Sequence, residues 1–457
     1  MQTVGPNKLF SPSDLVSFIG CRHATTLDLR KLDGRDVLRA PADAATKLIQ
    51  EFGDRHERAY LKILEQRGLE VVSINTSGTL ESRVAATRLA MKRGTEVIYQ
   101  AVMLREPWIG IADFLIRVPG NSRLGGFHYE VADTKLAKSN RPKFMVQLCI
   151  YADLLETVQG VLPSHLQVVL GELEEHERTR RGLGDGADHV SRLPTGDYIH
   201  YARALTARFV AFVSNPPETQ PTPVPACASC GWRAHCDADW LRSDHLSQVA
   251  GIRTQQIVRL QAAGITTMRA LAEMEGEAKG IGREVLDRLK TQAALQCDPT
   301  GRNGKLRLEK VPALAESIPP KPTGFSLLPE PVAGDLYFDM EGFPHVPGGL
   351  EYLFGVGYFE DGVRTRWTFK PFWAHDRSGE KLAFEQFMDF VEQHLERYPK
   401  AHIYHYAAYE RTAIQKLSSI HDTRVELRDR LLREGRLVDL YRVVTSALRL
   451  ALPSYSI

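Results

Sequence analysis

The first half of the chain alternates short apolar runs with segments of helical periodicity. Apolar runs at 97–104, 108–118 and 127–136 predict three consecutive strands. Segments 51–68 and 144–158 repeat apolar residues at helical spacing and predict one helix before these strands and one after them. This order of helix, three strands and helix predicts an α/β fold, with a small mixed sheet flanked by helices.

Proline-rich stretches and a change of pattern divide the rest of the chain. The segment NPPETQPTPVP cannot continue a helix and predicts an extended connector after the first α/β part. A small helical segment follows, then a second connector that carries Pro312, Pro319, Pro320 and Pro322, and finally a return to α/β patterning. The expected parts are 1–243, 244–297, the linker 298–333, and 334–457.

Composition is that of a globular protein and gives no sign of a nucleic-acid partner. The 457 residues are 43% hydrophobic and 25% charged, and 58 Lys and Arg against 56 Asp and Glu leave a net charge of +2. DNA binding must therefore depend on local sites. The N-terminus lacks a secretory signal, and no run of about 18 apolar residues occurs, so we expect a cytoplasmic protein without a membrane partner.

Three polar residues occupy the predicted strands where apolar residues are expected. Asp133 and Lys135 are two apart and point to one face, while Asp113 lies within the apolar run of the preceding strand. An ion pair between Asp133 and Lys135 does not account for a second carboxylate, and converging carboxylates indicate a divalent cation. Glu130 would face away from Asp133, and we predict that it is solvated.

The motifs around these residues resemble the RecB-like branch of the PD-(D/E)xK nucleases. The sequence has a Gly-x-x-Asp strand, GIAD at 110–113, and a strand that ends in Asp-x-Lys, DTK at 133–135. It also has Gln-x-x-x-Tyr on a helix at 147–151, and an upstream helix with a histidine, GDRHERAYL at 53–61. Each motif is weak alone, but all four occur in the family's order and on its element types.

The resemblance implies a restriction-endonuclease-like fold and a role for each matching residue. A Mg²⁺ or Mn²⁺ ion would be bound by His56, Asp113 and Asp133. Lys135 would be the catalytic lysine, and Gln147 and Tyr151 would contact DNA near the scissile phosphate.

Three cysteines lie within ten residues, at Cys227, Cys230 and Cys236, which is a metal-ligand spacing. The fourth ligand is either His235 or the distant Cys21, and spacing alone favours zinc. A subset of the RecB-like nucleases has one cysteine before the nuclease core and three after it, which together bind a [4Fe–4S] cluster. This resemblance favours the iron–sulfur cluster over Zn²⁺, with Cys21 as the fourth ligand.

The segment KGIGREVLDRL resembles a helix-hairpin-helix motif. In that motif glycines, here Gly280 and Gly282, let backbone N–H groups approach a DNA phosphate at a helix N-terminus. The alternative is a small helical spacer whose glycines only cap helices.

A second carboxylate motif lies on the strand LYFDMEG, where Asp339 and Glu341 share a face. It resembles the first motif of the DEDD exonucleases of the RNase H-like fold, in which four carboxylates hold two Mg²⁺ ions about 4 Å apart. Glu410 stands at the position of the second acid, and Asp439 at that of a further acidic strand residue. The sequence ends before the helix that normally supplies the last carboxylate, so we expect either a fragment or an incomplete site.

Together these resemblances imply a metal-dependent DNA nuclease, with exonuclease action expected, that hydrolyses phosphodiester bonds in DNA repair, recombination or defence. The implied partners are single-stranded DNA or duplex ends, and a helicase. The alternative is a catalytically inactive protein that keeps the nuclease fold and acts as a DNA-binding scaffold.

Overall fold

The computed structural model describes residues 1–35, 37–171, 190–301, 304–311, 324–344, 346, 349–360 and 365–456. These residues form two compact units, Met1–Asp239 and Trp240–Ile457. In the described ranges no helix is both long enough and apolar enough to cross a membrane.

The N-terminal unit is built on a six-stranded mixed sheet in the order β3-β4-β5-β6-β7-β8. The pairs β3/β4 and β6/β7 are parallel, and the other three neighbouring pairs are antiparallel. All three predicted strands are present as β4, β5 and β6. The strands of this unit are β1 (Gln2–Val4), β2 (Asn7–Leu9), β3 (Val71–Ser73), β4 (Val97–Arg105), β5 (Trp108–Ser122), β6 (Gly125–Lys135), β7 (His165–Leu170) and β8 (Val190–Pro194).

Helices cover both faces of this sheet, which confirms the predicted fold class. On one face Tyr60 and Leu64 of α3 pack against Phe114 of β5. On the other face α5 buries Leu148 and Leu155 in the larger core. The helices are α1 (Pro12–Gly20), α2 (Arg22–Leu32), α3 (Ala44–Gln66), α4 (Leu80–Arg93), α5 (Pro142–Gln159), α6 (Ile199–Ser214) and α7 (Arg233–Arg242), with 3₁₀ turns at Thr195–Asp197 and Pro225–Ser229.

Glu130 on β6 is buried, so the prediction that it is solvated is wrong. Its side chain is fully shielded and accepts hydrogen bonds from Ser164 Oγ at 3.0 Å, Gln167 Nε2 at 2.7 Å and Arg192 Nη2 at 2.9 Å. These hydrogen bonds hold its carboxyl pKa below the usual value despite burial. Glu130 therefore links β6 to β7 and β8.

The second unit begins with a small helical bundle and continues into an α/β part. The bundle packs Leu246, Leu260 and Leu286 into a core of its own. Its helices are α8 (Thr254–Ala262), α9 (Met268–Glu273) and α10 (Arg283–Cys297), after a 3₁₀ turn at Leu246–Gln248.

The α/β part contains a five-stranded mixed sheet in the order β12-β11-β10-β13-β14. The strands β10, β11 and β12 are antiparallel neighbours, whereas β13 and β14 run parallel to β10. Phe338 and Phe354 pack against Phe387 of α11 in its core. The elements are β9 (Leu308–Lys310), β10 (Leu336–Phe343), β11 (Leu350–Phe359), β12 (Trp367–Trp373), α11 (Arg377–Arg397), β13 (Ile403–His405), α12 (Tyr409–Ile420), α13 (Val425–Arg433), β14 (Leu437–Asp439), α14 (Leu440–Ala447) and β15 (Leu448–Leu450), with a 3₁₀ turn at Gly324–Leu327.

Part of the predicted linker 298–333 has regular structure. Its strand β9 pairs antiparallel with β15. Pro312, Pro319, Pro320 and Pro322 of this linker lie outside the described residues, as does the hairpin turn predicted at Asp361-Gly362.

Candidate functional site

Asp113 and Asp133 lie where two central strands separate. The main antiparallel ladder between β5 and β6 ends at the pair Phe114↔Ala132, and beyond it β6 continues to pair only with β7. Asp113 and Asp133 are the next residues on their strands. Two carboxylates are thus brought to one opening in the sheet.

Each carboxylate has its own contacts. The Asp113 Oδ2 atom accepts hydrogen bonds from the backbone N and the Oγ1 of Thr134, both at 2.8 Å. Asp133 is 1% exposed, and its Oδ2 forms an ion pair with Lys135 Nζ. That ammonium also lies 5.6 Å from the centre of the Phe144 ring.

Burial raises the pKa of Asp133 to about 7, and the negative charge of Asp113 adds to this shift. The Lys135 ammonium acts in the opposite direction. A carboxyl group with a pKa near 7 is easily left protonated unless a further cation stabilises its charge.

This pKa gives a testable link between pH and metal binding. In the metal-free protein the folded Asp133 carboxyl binds its proton more tightly than the unfolded one, so its contribution lowers stability as pH rises from about 4 to 7. A divalent cation binds only the ionised form. We therefore expect saturating Mn²⁺ to raise the melting temperature by roughly 5 °C at pH 8 and by much less at pH 6. Thermal denaturation of the wild type and Asp133→Asn at both pH values checks this, and an equal Mn²⁺ shift at both values would contradict it.

Gln147 and Tyr151 lie on one face of α5, next to the carboxylates. Gln147 Nε2 is 3.4 Å from the Tyr151 hydroxyl, which donates to the Ile111 carbonyl at 2.9 Å. Burial, followed by the charge of Asp133, raises the pKa of Tyr151. The Tyr151 ring lies so close to Gly110 that an added Cβ would approach it within 2.8 Å. The glycine of the GIAD motif thus lets the helix approach β5.

His56 lies on α3, where its Nε2 is 3.2 Å from the Val169 carbonyl of β7. The next residue, Glu57, was missed by the sequence reasoning. Its Oε1 accepts a hydrogen bond from Gln100 Nε2 at 2.5 Å. Burial and then the charge of Asp113 raise the pKa of Glu57. The only sequence signal was its position beside His56 in the helix motif.

The four cysteines Cys21, Cys227, Cys230 and Cys236 line one narrow pocket against the buried Trp232. Burial, followed by the charges of the other three thiols, raises the pKa of Cys236 to about 12. The chain thus brings together residues about 200 positions apart.

The predicted helix-hairpin-helix glycines lie before α10. Gly280 has a left-handed φ of 83°, and its carbonyl accepts a hydrogen bond from Arg259 Nη1. Gly282 is the N-cap residue of α10, and a Cβ added there would meet nothing within 4 Å. The backbone at this helix N-terminus is therefore approachable.

A second set of carboxylates lies on the sheet of the C-terminal unit. Asp339 and Glu341 are exposed on one face of β10, and Glu410 is buried in the first turn of α12. Burial is the main cause that raises the pKa of Asp339, and a hydrogen bond with the Glu410 carboxyl adds to it. Within the described ranges, neither Glu410 Oε2 nor Nε2 of the buried His405 takes part in a hydrogen bond.

Asp439 ends β14 opposite His405 of β13. Its Oδ1 accepts hydrogen bonds from the backbone N of Ala407 at 3.0 Å and of Arg442 at 3.2 Å. It therefore caps α14 and shapes the turn that leads to Glu410.

Comparison with known families gives a match over this part of the chain. Residues 336–457 match a family model of the RNase H superfamily. Residues 336–457 form an RNase H-like domain. This match is consistent with a nuclease and, more broadly, with a hydrolase. No curated protein matches the chain.

The RNase H-like domain and the N-terminal unit share one feature of their acidic sites. In the part of the chain that the structure describes, no three His, Cys, Asp or Glu side chains are gathered closely enough to hold a metal ion as they stand.

Proposed function

We propose that the chain is a Mg²⁺- or Mn²⁺-dependent deoxyribonuclease whose centre lies in the N-terminal unit. The proposal rests mainly on one observation: the buried Asp133 forms an ion pair with Lys135 where β5 and β6 separate, and Asp113 lies on β5 at that point. A second carboxylate beside this buried ion pair leaves excess negative charge, which is costly to maintain and favours a site built for a cation.

The residues at this site can fill the separate catalytic roles that phosphodiester hydrolysis requires. Asp113 and Asp133 would hold the divalent cation, with His56 as the further ligand expected on α3. When bound, the cation supplies Lewis-acid stabilisation of the phosphate charge. Lys135 would orient the attacking water and offset charge that develops on the phosphate. Gln147 and Tyr151 would orient the substrate beside it.

We further propose that Cys21, Cys227, Cys230 and Cys236 hold a [4Fe–4S] cluster. All four thiols line one pocket, and Cys21 joins it from the segment before α2. Ligation by four thiolates suits an iron–sulfur cluster.

The RNase H-like domain would contribute a second metal site formed by Asp339, Glu341 and Glu410. The carboxyl contact between Asp339 and Glu410 supports this role, because two such groups need a shared proton or a cation. Backbone N–H groups at Gly280 and Gly282 would contact a DNA phosphate.

Cleavage assays on the purified chain test the proposed function. With Mg²⁺ or Mn²⁺ we expect degradation of single-stranded DNA or duplex ends, which EDTA abolishes. Intact DNA in both metals would overturn the proposal. Metal-independent DNA binding without cleavage would support a scaffold protein in its place.

A further inference from the structure

We infer that a basic cleft in the N-terminal unit, separate from the carboxylate site, binds a phosphate group of single-stranded DNA. The inference rests on the proposed function for the identity of this ligand, and it adds a second contact with the substrate. It is carried by the charges that line the cleft, by a buried histidine and by the contacts that hold the walls.

The cleft has a volume of about 490 Å³ and is bounded by three segments of the N-terminal unit. They are the junction between α1 and α2 at 18–23, the helix α6 at Leu205 and Arg208, and the proline-rich connector within 219–224. This volume lies in the range of sites that bind small ligands. The cleft can therefore take one nucleotide unit of a single strand but not a duplex.

The charged side chains that line the cleft favour an anionic ligand. The exposed guanidinium groups of Arg22 and Arg208 form no ion pair with a described residue, and no Asp or Glu of the described chain lines the cleft. Planar guanidinium groups bind phosphate oxygens through paired N–H donors. The connector adds the side chains of Gln220 and Thr222, whose amide and hydroxyl groups are common partners of phosphate and sugar oxygens.

A buried histidine in the lining of the cleft indicates a polar ligand independently of these exposed charges. His23 is 6% exposed, and its Nδ1 lies 2.8 Å from the Oγ1 of Thr219 in the connector. Its Nε2 is buried, and no hydrogen-bond partner for this atom occurs in the described ranges. A buried polar atom without a partner is costly. In the tautomer with its proton on Nε2, this nitrogen can donate to a phosphate oxygen.

The walls of the cleft are held in place by contacts that do not involve a ligand. Phe18 of α1 packs against Phe209 and Phe212 of α6, with ring centroids 5.4 Å and 5.1 Å apart. The contact between His23 and Thr219 joins the connector to α2. A preformed site loses less conformational entropy when its ligand binds. The proline-rich connector thus has a role beyond linking two segments, because it forms one wall of a binding cleft.

Equilibrium binding of a fluorescent oligonucleotide in EDTA tests the inference without cleavage. The double variant Arg22→Gln/Arg208→Gln removes both guanidinium charges from the cleft. We expect it to weaken binding of single-stranded DNA by about tenfold at about 0.1 M salt. The slope of log affinity against log salt should become shallower by about 1.4, because each phosphate contact on a single strand contributes about 0.7. The loss should be the same for oligonucleotides of different sequence, since phosphate contacts do not read bases.

Arg88→Gln is the matched control. Arg88 is an exposed arginine on α4 of the same unit, does not line the cleft, and likewise forms no ion pair with a described residue. Its removal should leave the affinity within about twofold of wild type and the salt slope unchanged. Equal melting temperatures of the wild type and the double variant exclude a folding defect as the cause of weaker binding.

The outcomes separate failure of the inference from failure of the proposed function. If the wild type and the double variant bind the oligonucleotide equally, with the same salt slope, the inference is overturned and the proposed function stands. If the wild type binds neither single-stranded DNA nor duplex ends, the proposed function fails and the inference fails with it. If the double variant loses only the binding of inorganic phosphate or a mononucleotide, the cleft belongs to a small ligand and the contact with a DNA strand is overturned.

Discussion

Lys135→Ala is expected to lower the rate of DNA cleavage by about 10²- to 10⁴-fold, while the affinity for DNA changes far less. Lys135 is the lysine of the Asp-x-Lys motif. Its ammonium forms an ion pair with Asp133 where β5 and β6 separate. Its removal would deprive the phosphate of a positive charge and leave Asp133 without its ion-pair partner. Single-turnover cleavage of end-labelled DNA, together with a binding titration, measures both quantities.

Lys143→Ala is the matched control for this variant. Lys143 Nζ lies 5.7 Å from the centre of the same Phe144 ring that Lys135 approaches to 5.6 Å. Both variants therefore lose a lysine beside one aromatic ring, but only Lys135 contacts Asp133. Equal rates for Lys135→Ala and wild type would remove Lys135 from the catalytic centre. Equal losses in both variants would indicate a general effect of positive charge.

Cys236→Ser is expected to abolish the brown colour of anaerobically purified protein and to lower the melting temperature by about 10 °C or more. Cys236 lies on α7 and lines the same pocket as Cys21, which precedes α2. Loss of one ligand would release the connection between these distant segments. Iron and sulfide analysis with visible absorption follows the cluster, and calorimetry follows the stability.

Cys297→Ser is the control, because this partly exposed thiol ends α10 in the other unit. It should keep the colour and the melting temperature of the wild type. A colourless wild-type protein that contains stoichiometric zinc would contradict the cluster and favour the zinc alternative.

The residue pattern predicted where polar side chains lie on the strands, because strand periodicity fixes their face. Asp133 and Lys135 are two apart on β6, so alternation alone placed them on one face, and the ion pair between them follows. The strand bounds were also close, because long apolar runs between turn residues leave few alternatives. The RNase H-like domain was predicted from the strand that carries Asp339, and the family match supports it.

The sequence could not predict features that depend on distant partners or on an unusual backbone. The burial of Glu130 is stabilised by Ser164, Gln167 and Arg192, which lie 34 to 62 residues further along the chain. The alternation of apolar and polar residues along a strand does not identify such partners. Glu57 was missed for another reason: the left-handed φ of Gln100 interrupts the alternation of β4 and turns its side chain towards α3.

The apolar pattern also could not predict where helix α3 begins. The apolar periodicity predicted a helix from residue 51, but the helix begins at Ala44, where Asp43 accepts a hydrogen bond from the Thr46 backbone N at 2.7 Å. This first part of the helix is largely exposed, so it lacks the apolar repeat on which the prediction depended. A side-chain cap sets the boundary there.

The most direct test of where the chemistry lies compares DNA cleavage by Asp113→Asn and Asp339→Asn under identical metal and salt conditions. Each variant removes one carboxylate charge from one of the two acidic sites. We expect Asp113→Asn to lose cleavage and Asp339→Asn to retain most of it. Full activity in Asp113→Asn, with activity lost in Asp339→Asn, would contradict this expectation and assign the chemistry to the RNase H-like domain.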